Sequence, residues 1–104
     1  MNYLRRIADE IAHVAGESDL DEGRRRLFLL YAVLALVCGQ GVERRDVHHA
    51  WVAWKILQGE EHSSMVPFED LSADIQAEDE PFVAAIRRVS ARLAEASGEA
   101  GRAP

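Results

Sequence analysis

One uninterrupted apolar run, from Leu27 to Cys38, limits most strongly what this chain can fold into. As an α-helix its 12 residues rise about 18 Å, whereas the hydrocarbon core of a bilayer is roughly 30 Å thick. The run is therefore too short to span a membrane, and it is too apolar all round to lie on a protein surface. It predicts a helix buried at the centre of a small domain and stopped by Gly39 and Gly41.

The start of this central helix has two candidate capping signals. Asp19 is followed by Glu22, and Ser18 by Asp21, both at the three-residue spacing of a capping box. The spacing does not choose between them, so the helix is expected to begin at Ser18 or Asp19.

Apolar side chains at three- and four-residue steps predict three more main helices around the central one. The first carries a stripe from Leu4 to Ala15 and ends at Gly16. A third, from about 43 to 57, places Trp51 and Trp54 on or beside its inner face. The last helix begins near Pro81 and has a heptad-like stripe. The members of this stripe are Phe82, Ile86, Val89 and Leu93.

Between the third and the last helix the sequence predicts irregular structure. Residues 60–67 predict a loop, because the residue before a proline is restricted to extended backbone. Ser72 is expected to cap a short helical turn that ends at Ala77. We therefore expect an all-α fold, a compact bundle of four main helices plus a short helical turn, with a Val-Pro loop before the last helix pair. Residues 1–96 are expected to form a single helical domain, and residues 97–104 a disordered tail.

Composition and charge narrow the classes of partner and compartment. With 104 residues, 48% hydrophobic and 29% charged, the chain suits one globular domain. Its formal net charge of -6 disfavours nucleic acid and membranes as partners, because proteins that bind either of them usually carry an excess of Lys and Arg. Residues 1–14 lack the apolar core of a signal peptide, and the single Cys38 cannot form an internal disulfide. We therefore expect a cytoplasmic protein.

No residue pattern typical of catalysis or metal binding stands out. The nearest approach to a metal set is His48 or His49 with His62, but adjacent histidines on a helix point about 100° apart. Cys38 is expected to be buried, and no serine lies on a strand-turn-helix elbow. The sequence therefore predicts a protein that is not an enzyme and needs neither metal nor cofactor.

The segment from Glu60 to Glu80 contains eight acids and neither Lys nor Arg. Such a segment is either an ordinary solvated surface or a docking patch for a basic protein partner. The candidate patch consists of Glu69, Asp70, Asp74, Glu78 and Asp79.

A second set of residues combines aromatic rings with polar tips. His48, Trp51 and Lys55 follow one strip of the third helix, and indole and imidazole rings suit flat or cationic ligands. Alternatively, both tryptophans belong to the core and His48 bonds a backbone carbonyl. The candidate ligand-binding residues are His48, Trp51, Lys55, His62, Pro67 and Phe68.

The same residues carry a resemblance to a known repeat. The segments Asp46-Val47-His48-His49-Ala50-Trp51-Val52 and His62-Ser63-Ser64-Met65-Val66-Pro67-Phe68-Glu69-Asp70-Leu71, with Lys55-Ile56 between them and Asp79 after them, resemble the ryanodine receptor (RyR) repeat domain. The match covers about 45–83. The chain also looks similar to small stand-alone actinobacterial or actinophage proteins. The resemblance implies a helical module for recognition rather than catalysis, with a nucleotide-like signal as its ligand.

Departures from the repeat concern its polar positions. Ser63 replaces a proline, Phe68 replaces a tyrosine, and Gln76 and Glu80 stand where the repeat usually carries Lys and Arg. If that basic pair contacts an anionic ligand, we expect the contact to be lost here.

Two classes of function follow. The first is a non-enzymatic module that recognises a small ligand. The alternative is an acidic protein-interaction or structural component, for example a homodimer, that uses the acidic segment or the stripe containing Ile86 and Leu93.

Overall fold

The computed structural model describes the backbone of residues 2–101 and the side chains of residues 2–96, and this part of the chain is helical with no strand. The all-α prediction is confirmed. Four main helices and one short helix follow each other with two short 3₁₀ turns between them. In chain order they are α1 (Tyr3–Val14), α2 (Glu22–Val37), the turn Gly39–Gly41, α3 (Arg44–Leu57), the turn Phe68–Asp70, α4 (Ala73–Ala77) and α5 (Glu80–Gly101).

Helix α2 starts later than either capping signal predicts. The carboxylate of Asp21 accepts a hydrogen bond from the backbone N–H of Arg24 at 2.7 Å, which makes Asp21 the N-cap. Asp19 instead has φ 54°, in the left-handed region that turns the chain between α1 and α2. The expected start at Ser18 or Asp19 was therefore wrong. Asp19 adopts the left-handed conformation of the turn before α2, so it cannot cap the helix.

The starts of α3, α4 and α5 agree with the positions expected from the sequence. The backbone N–H of Glu43 donates to the carboxylate of Asp46 at 2.8 Å, which closes the start of α3. The hydroxyl of Ser72 accepts from the N–H of Ile75 at 3.4 Å and caps α4. Pro81 lies in the first turn of α5, as predicted.

The core forms where α2 packs against α1, α3 and α5. Its largest side chains are aromatic. Phe28 meets Tyr31 edge to face with ring centroids 5.3 Å apart, and the ring of Phe82 lies 6.2 Å from that of Phe28. The predicted central position of α2 is thus confirmed, but the helix is not buried all round, because Val33, Leu36 and Val37 on its other side are exposed. Cys38 lies at the edge of this core and is only partly buried, and burial raises the pKa of its thiol.

The apolar stripe of α5 faces the same core. Ile86 and Val89 are fully buried, and Phe82 and Leu93 pack against the buried cluster. Ile86 cannot form the dimer surface expected for it, because the chain's own helices bury it completely, whereas Leu93 is only partly buried.

Beyond this stripe, α5 continues to Gly101, into the segment that we expected to be disordered. Alanine recurs in this part of the sequence and has the highest helix propensity, which explains the extension. The end of that expected tail, residues 102–104, lies outside the described residues. Among the helices that the structure describes, none is both long and apolar enough to cross a membrane.

Candidate functional site

The aromatic residues singled out from the sequence lie together beside α3. The rings of His48 and Trp51 stack with centroids 5.9 Å apart. His62 meets Trp51 edge to face at 5.2 Å, and Phe68 lies 6.1 Å from His48. The loop 60–67 and the turn that follows it therefore pack against the strip of α3 that carries His48 and Trp51.

His48 attaches this loop to α3. Its side chain is buried, and its Nε2 lies 2.6 Å from the carbonyl oxygen of Val66. Because a carbonyl only accepts, Nε2 must carry the proton. The alternative interpretation, in which His48 bonds a backbone carbonyl, is therefore correct for this residue. His62 is exposed, and its Nδ1 accepts from the N–H of Ser64 at 3.0 Å, which shapes the loop itself.

The two tryptophans divide between core and loop. Trp54 packs against the core, and its indole N–H donates to the carbonyl of Gly23 at 2.7 Å. Trp51 contacts the histidines instead. The ammonium of Lys55 lies 5.6 Å from the ring centroid of Trp51 and 5.2 Å from that of Trp54, so it interacts with both rings. It also lies 3.7 Å from a carboxylate oxygen of Glu60.

Phe68 also lines an open groove of about 290 Å³ between the start of α3, the turn Phe68–Asp70 and α5. Its walls combine three arginines and two acids with an aromatic ring. The lining residues are Glu43, Arg44, Arg45, Phe68, Gln76, Glu80, Val83 and Arg87. Of the six candidate ligand-binding residues, Phe68 lines this groove, whereas the ring of Trp51 lies against those of His48 and His62.

The arginines of the groove are held by groups that leave part of each guanidinium free. Arg44 donates to Glu80 at 2.5 Å and Arg45 to Glu69 at 2.6 Å, both through Nε. Exposed ion pairs of this kind contribute only about 0–1 kcal/mol, so an incoming anion can displace them. Arg87 uses Nε and Nη2 to bind the carbonyl of Val42 at 3.0 and 2.7 Å. The remaining N–H groups of the Arg87 guanidinium can donate hydrogen bonds to a ligand.

Gln76 fixes the position of Phe68. Its side-chain amide donates to the carbonyls of Phe68 and Leu71 at 3.0 and 3.1 Å, so the turn is tied to α4. The guanidinium of Arg45 lies 5.8 Å from the Phe68 ring centroid. The aromatic wall of the groove is thus placed between a charged side chain and the buried His48.

Sequence reasoning missed the three arginines. The adjacent pair Arg44-Arg45, close to His48 in the sequence, could have indicated two of them. No spacing rule connects that pair with Arg87, which reaches the groove only because α5 packs beside α3.

The acidic segment is partly neutralised within the chain. Arg45, Arg44 and Lys55 pair with Glu69, Glu80 and Glu60 respectively. A backbone hydrogen bond, followed by the contact with Arg45, lowers the pKa of Glu69. Of the five patch residues, three are exposed and form no ion pair among the described side chains. They are Asp70, Asp74 and Glu78.

Asp79 differs from the rest of the patch because it is half-buried at the start of α5. Its carbonyl accepts the N–H of Val83 at 3.0 Å. Burial raises the pKa of its carboxyl above the ordinary value, and nearby His48 opposes that shift. The folded chain therefore holds this proton more tightly than the unfolded chain, so stability falls as the pH rises from the ordinary pKa of about 4 through the folded one.

Replacing Asp79 with Asn is expected to remove this pH dependence while keeping a residue suited to a helix start. The free energy of unfolding of the variant, relative to that of the native chain, should be higher at about pH 7 than at about pH 3, because Asn cannot ionise. Urea unfolding at both pH values measures the difference. Asp74→Asn, at an exposed position of α4, is the control and should show no such gain. An equal effect of Asp79→Asn at both pH values would contradict the argument.

Within the described residues, no three or more His, Cys, Asp and Glu side chains are grouped so that they could hold a metal ion. A family model described as Domain of unknown function (DUF7701) matches residues 2–91. Neither the curated proteins nor the solved structures contain a significant match to the chain.

Proposed function

Because the chain belongs to the DUF7701 family, whose description leaves the function open, we propose a function from the geometry of the groove. The protein binds a small anionic molecule that carries a flat ring, and it does so without catalysing a reaction. The observation that carries this proposal is the meeting of three guanidinium groups, from α3 and α5, around the ring of Phe68.

The charge of the groove favours an anion. Arg44 and Arg45 already hold carboxylates through single Nε contacts in exposed pairs. Phosphate and carboxylate groups match the planar fork of arginine with two parallel hydrogen bonds. A ligand that makes such paired contacts replaces the weaker internal ones.

The size and the aromatic wall of the groove favour a compact, flat ligand. Its volume of about 290 Å³ is slightly below the roughly 300–1,000 Å³ that ligand pockets enclose. Phe68 is partly exposed, and its place in the turn is fixed by Gln76. A ring of the ligand can stack on Phe68 while its acidic groups reach the arginines.

The resemblance to the RyR repeat supports the same location. Gln76 and Glu80, which stand at the repeat's usual basic positions, both line the groove. In this proposal Arg44, Arg45 and Arg87 supply the positive charge that those two positions lack. A nucleotide-like signal, which the resemblance implies, has both the ring and the acidic groups that this groove suits.

The remaining candidate residues act indirectly in this proposal. His48 and Trp51 hold the loop 60–67 against α3, and Lys55 and His62 contact Trp51. Pro67 immediately precedes the turn that begins at Phe68. Together they support the position of Phe68 rather than contact the ligand. We place the protein in the reducing cytoplasm, where its one thiol stays reduced.

The test is isothermal titration calorimetry at low salt with AMP, ADP, citrate and inorganic phosphate as separate probes. We expect at least one nucleotide to bind more tightly than inorganic phosphate, because only the nucleotide can stack on Phe68. Replacing Arg45 with Gln is expected to weaken binding about tenfold or more, since a hydrogen bond to a charged group contributes about 1.5–3 kcal/mol. Phe68→Ala is expected to lower the affinity for the nucleotide to the affinity for inorganic phosphate.

Arg88→Gln is the matched control, because Arg88 is an exposed arginine on α5, next to Arg87 in the sequence. It should leave binding unchanged. An equal loss in Arg88→Gln would mean that net charge, and not the groove, attracts the anion. Absence of binding by all four probes would instead favour the alternative function, in which exposed Asp70, Asp74 and Glu78 dock a basic protein.

A further inference from the structure

The side-chain amide of Gln76 has a fixed orientation beside the aromatic wall of the groove. Its Nε2 lies 3.0 Å from the carbonyl oxygen of Phe68 and 3.1 Å from that of Leu71. Because carbonyl oxygens only accept hydrogen bonds, the nitrogen and not the oxygen of the amide must face them. These two bonds use both N–H groups of the amide, so Gln76 has no side-chain donor left for a ligand.

The amide oxygen of Gln76 remains as an acceptor. Among the described residues, every buried side-chain nitrogen or oxygen atom has a hydrogen-bond partner. Gln76 is partly buried and its Oε1 accepts no hydrogen bond from these residues, so this oxygen must be open to solvent. Gln76 lines the groove, and a ligand there meets an acceptor and no donor from its side chain.

This acceptor is close to the residue on which a flat ligand stacks. The nitrogen of the Gln76 amide bonds the carbonyl of Phe68 itself, and Oε1 is attached to the same carbon as that nitrogen. Both side chains line the groove. A ring that stacks on Phe68 can therefore present its edge, where its polar substituents lie, to the oxygen of Gln76.

We propose that Gln76 selects, among flat anionic ligands, those whose ring carries an amino group, such as adenine and cytosine nucleotides. This inference rests on the proposed function, because it concerns the ring of the same ligand. The amino group donates one N–H to Oε1 of Gln76, while the acidic groups of the ligand reach Arg44, Arg45 and Arg87. A ring without a donor at that edge displaces water from Oε1 and leaves the acceptor unpaired, which weakens binding.

The two carboxylates of the groove are less suited to a neutral amino group. Glu80 pairs with Arg44, and Glu43 immediately precedes Arg44 in the sequence. Both acids are thus associated with the arginines to which the acidic groups of the ligand bind. Gln76 carries no charge and is bonded to the backbone of Phe68, so it is the acceptor that belongs to the aromatic wall.

Isothermal titration calorimetry of the full chain with two matched nucleotides tests the proposal. The probes are AMP and purine riboside 5′-monophosphate, which differ only in the amino group on the ring. We expect AMP to bind about three- to tenfold more tightly, the usual contribution of one hydrogen bond. In Gln76→Met, which keeps the length of the side chain but has no amide, the ratio of the two affinities should fall to about one. This ratio reports the amino contact even if a displaced Phe68 weakens the binding of both nucleotides.

Gln58→Met is the control, because Gln58 is another partly buried glutamine and does not line the groove. This variant should keep the preference for AMP. Equal binding of the two nucleotides to the native chain overturns the role of Gln76 but leaves the groove as an anion site. A preference for AMP that persists in Gln76→Met also overturns that role, because another acceptor then holds the amino group. If neither nucleotide binds, the proposed function fails and this inference fails with it.

Discussion

Replacing Phe28 with Ala is expected to lower the free energy of unfolding by about 3–5 kcal/mol, the usual cost of removing a large aromatic side chain from a core. Phe28 is fully buried and contacts the rings of Tyr31 and Phe82, so it joins α2 to α5. Domains of this size have a total stability of only about 5–15 kcal/mol. The variant should therefore unfold at a much lower urea concentration, as followed by circular dichroism.

The control for this experiment is Val33→Ala on the same helix, where the side chain is 43% exposed. Surface substitutions usually change stability by less than about 0.5 kcal/mol. If the two variants lost similar amounts, α2 would not be the centre of the fold.

Replacing Trp54 with Ala is the second large effect, with an expected loss of about 3–5 kcal/mol. Trp54 packs against the core and donates its indole N–H to the carbonyl of Gly23. It therefore fixes the C-terminal half of α3 against the start of α2. Urea unfolding of the variant measures the loss.

Trp54→Phe separates the ring from its hydrogen bond. The phenyl ring keeps most of the packing, and loss of one hydrogen bond usually costs about 0.5–1.5 kcal/mol. A loss in Trp54→Phe as large as that in Trp54→Ala would mean that the bond to Gly23, not the packing of the ring, anchors α3.

The division between the two tryptophans matters for the proposed function. Trp54 attaches α3 to the core, whereas Trp51 and His48 attach the loop to α3. Phe68 is thereby held at the edge of a groove whose arginines come from two helices. A rigid helical scaffold with an aromatic wall positioned by a second layer of contacts is what a preorganised binding site requires.

Several features of this protein follow from its sequence alone. The apolar run from Leu27 predicts the central helix, and Ser72 and Glu43 mark the starts of α4 and α3. The spacing of His48, Trp51 and Lys55 also predicts that they share one strip of α3. These features depend on periodicity and capping, which involve residues within about one helical turn of each other.

The tertiary structure decided the rest. It places Arg87 of α5 beside Arg44 and Arg45 of α3, and it pairs acids of the segment 60–80 with basic residues of α3. It also turns the α5 stripe with Ile86 towards the core. Each outcome depends on which helices pack together. Residues distant in sequence become neighbours only through that packing, and no local spacing encodes it.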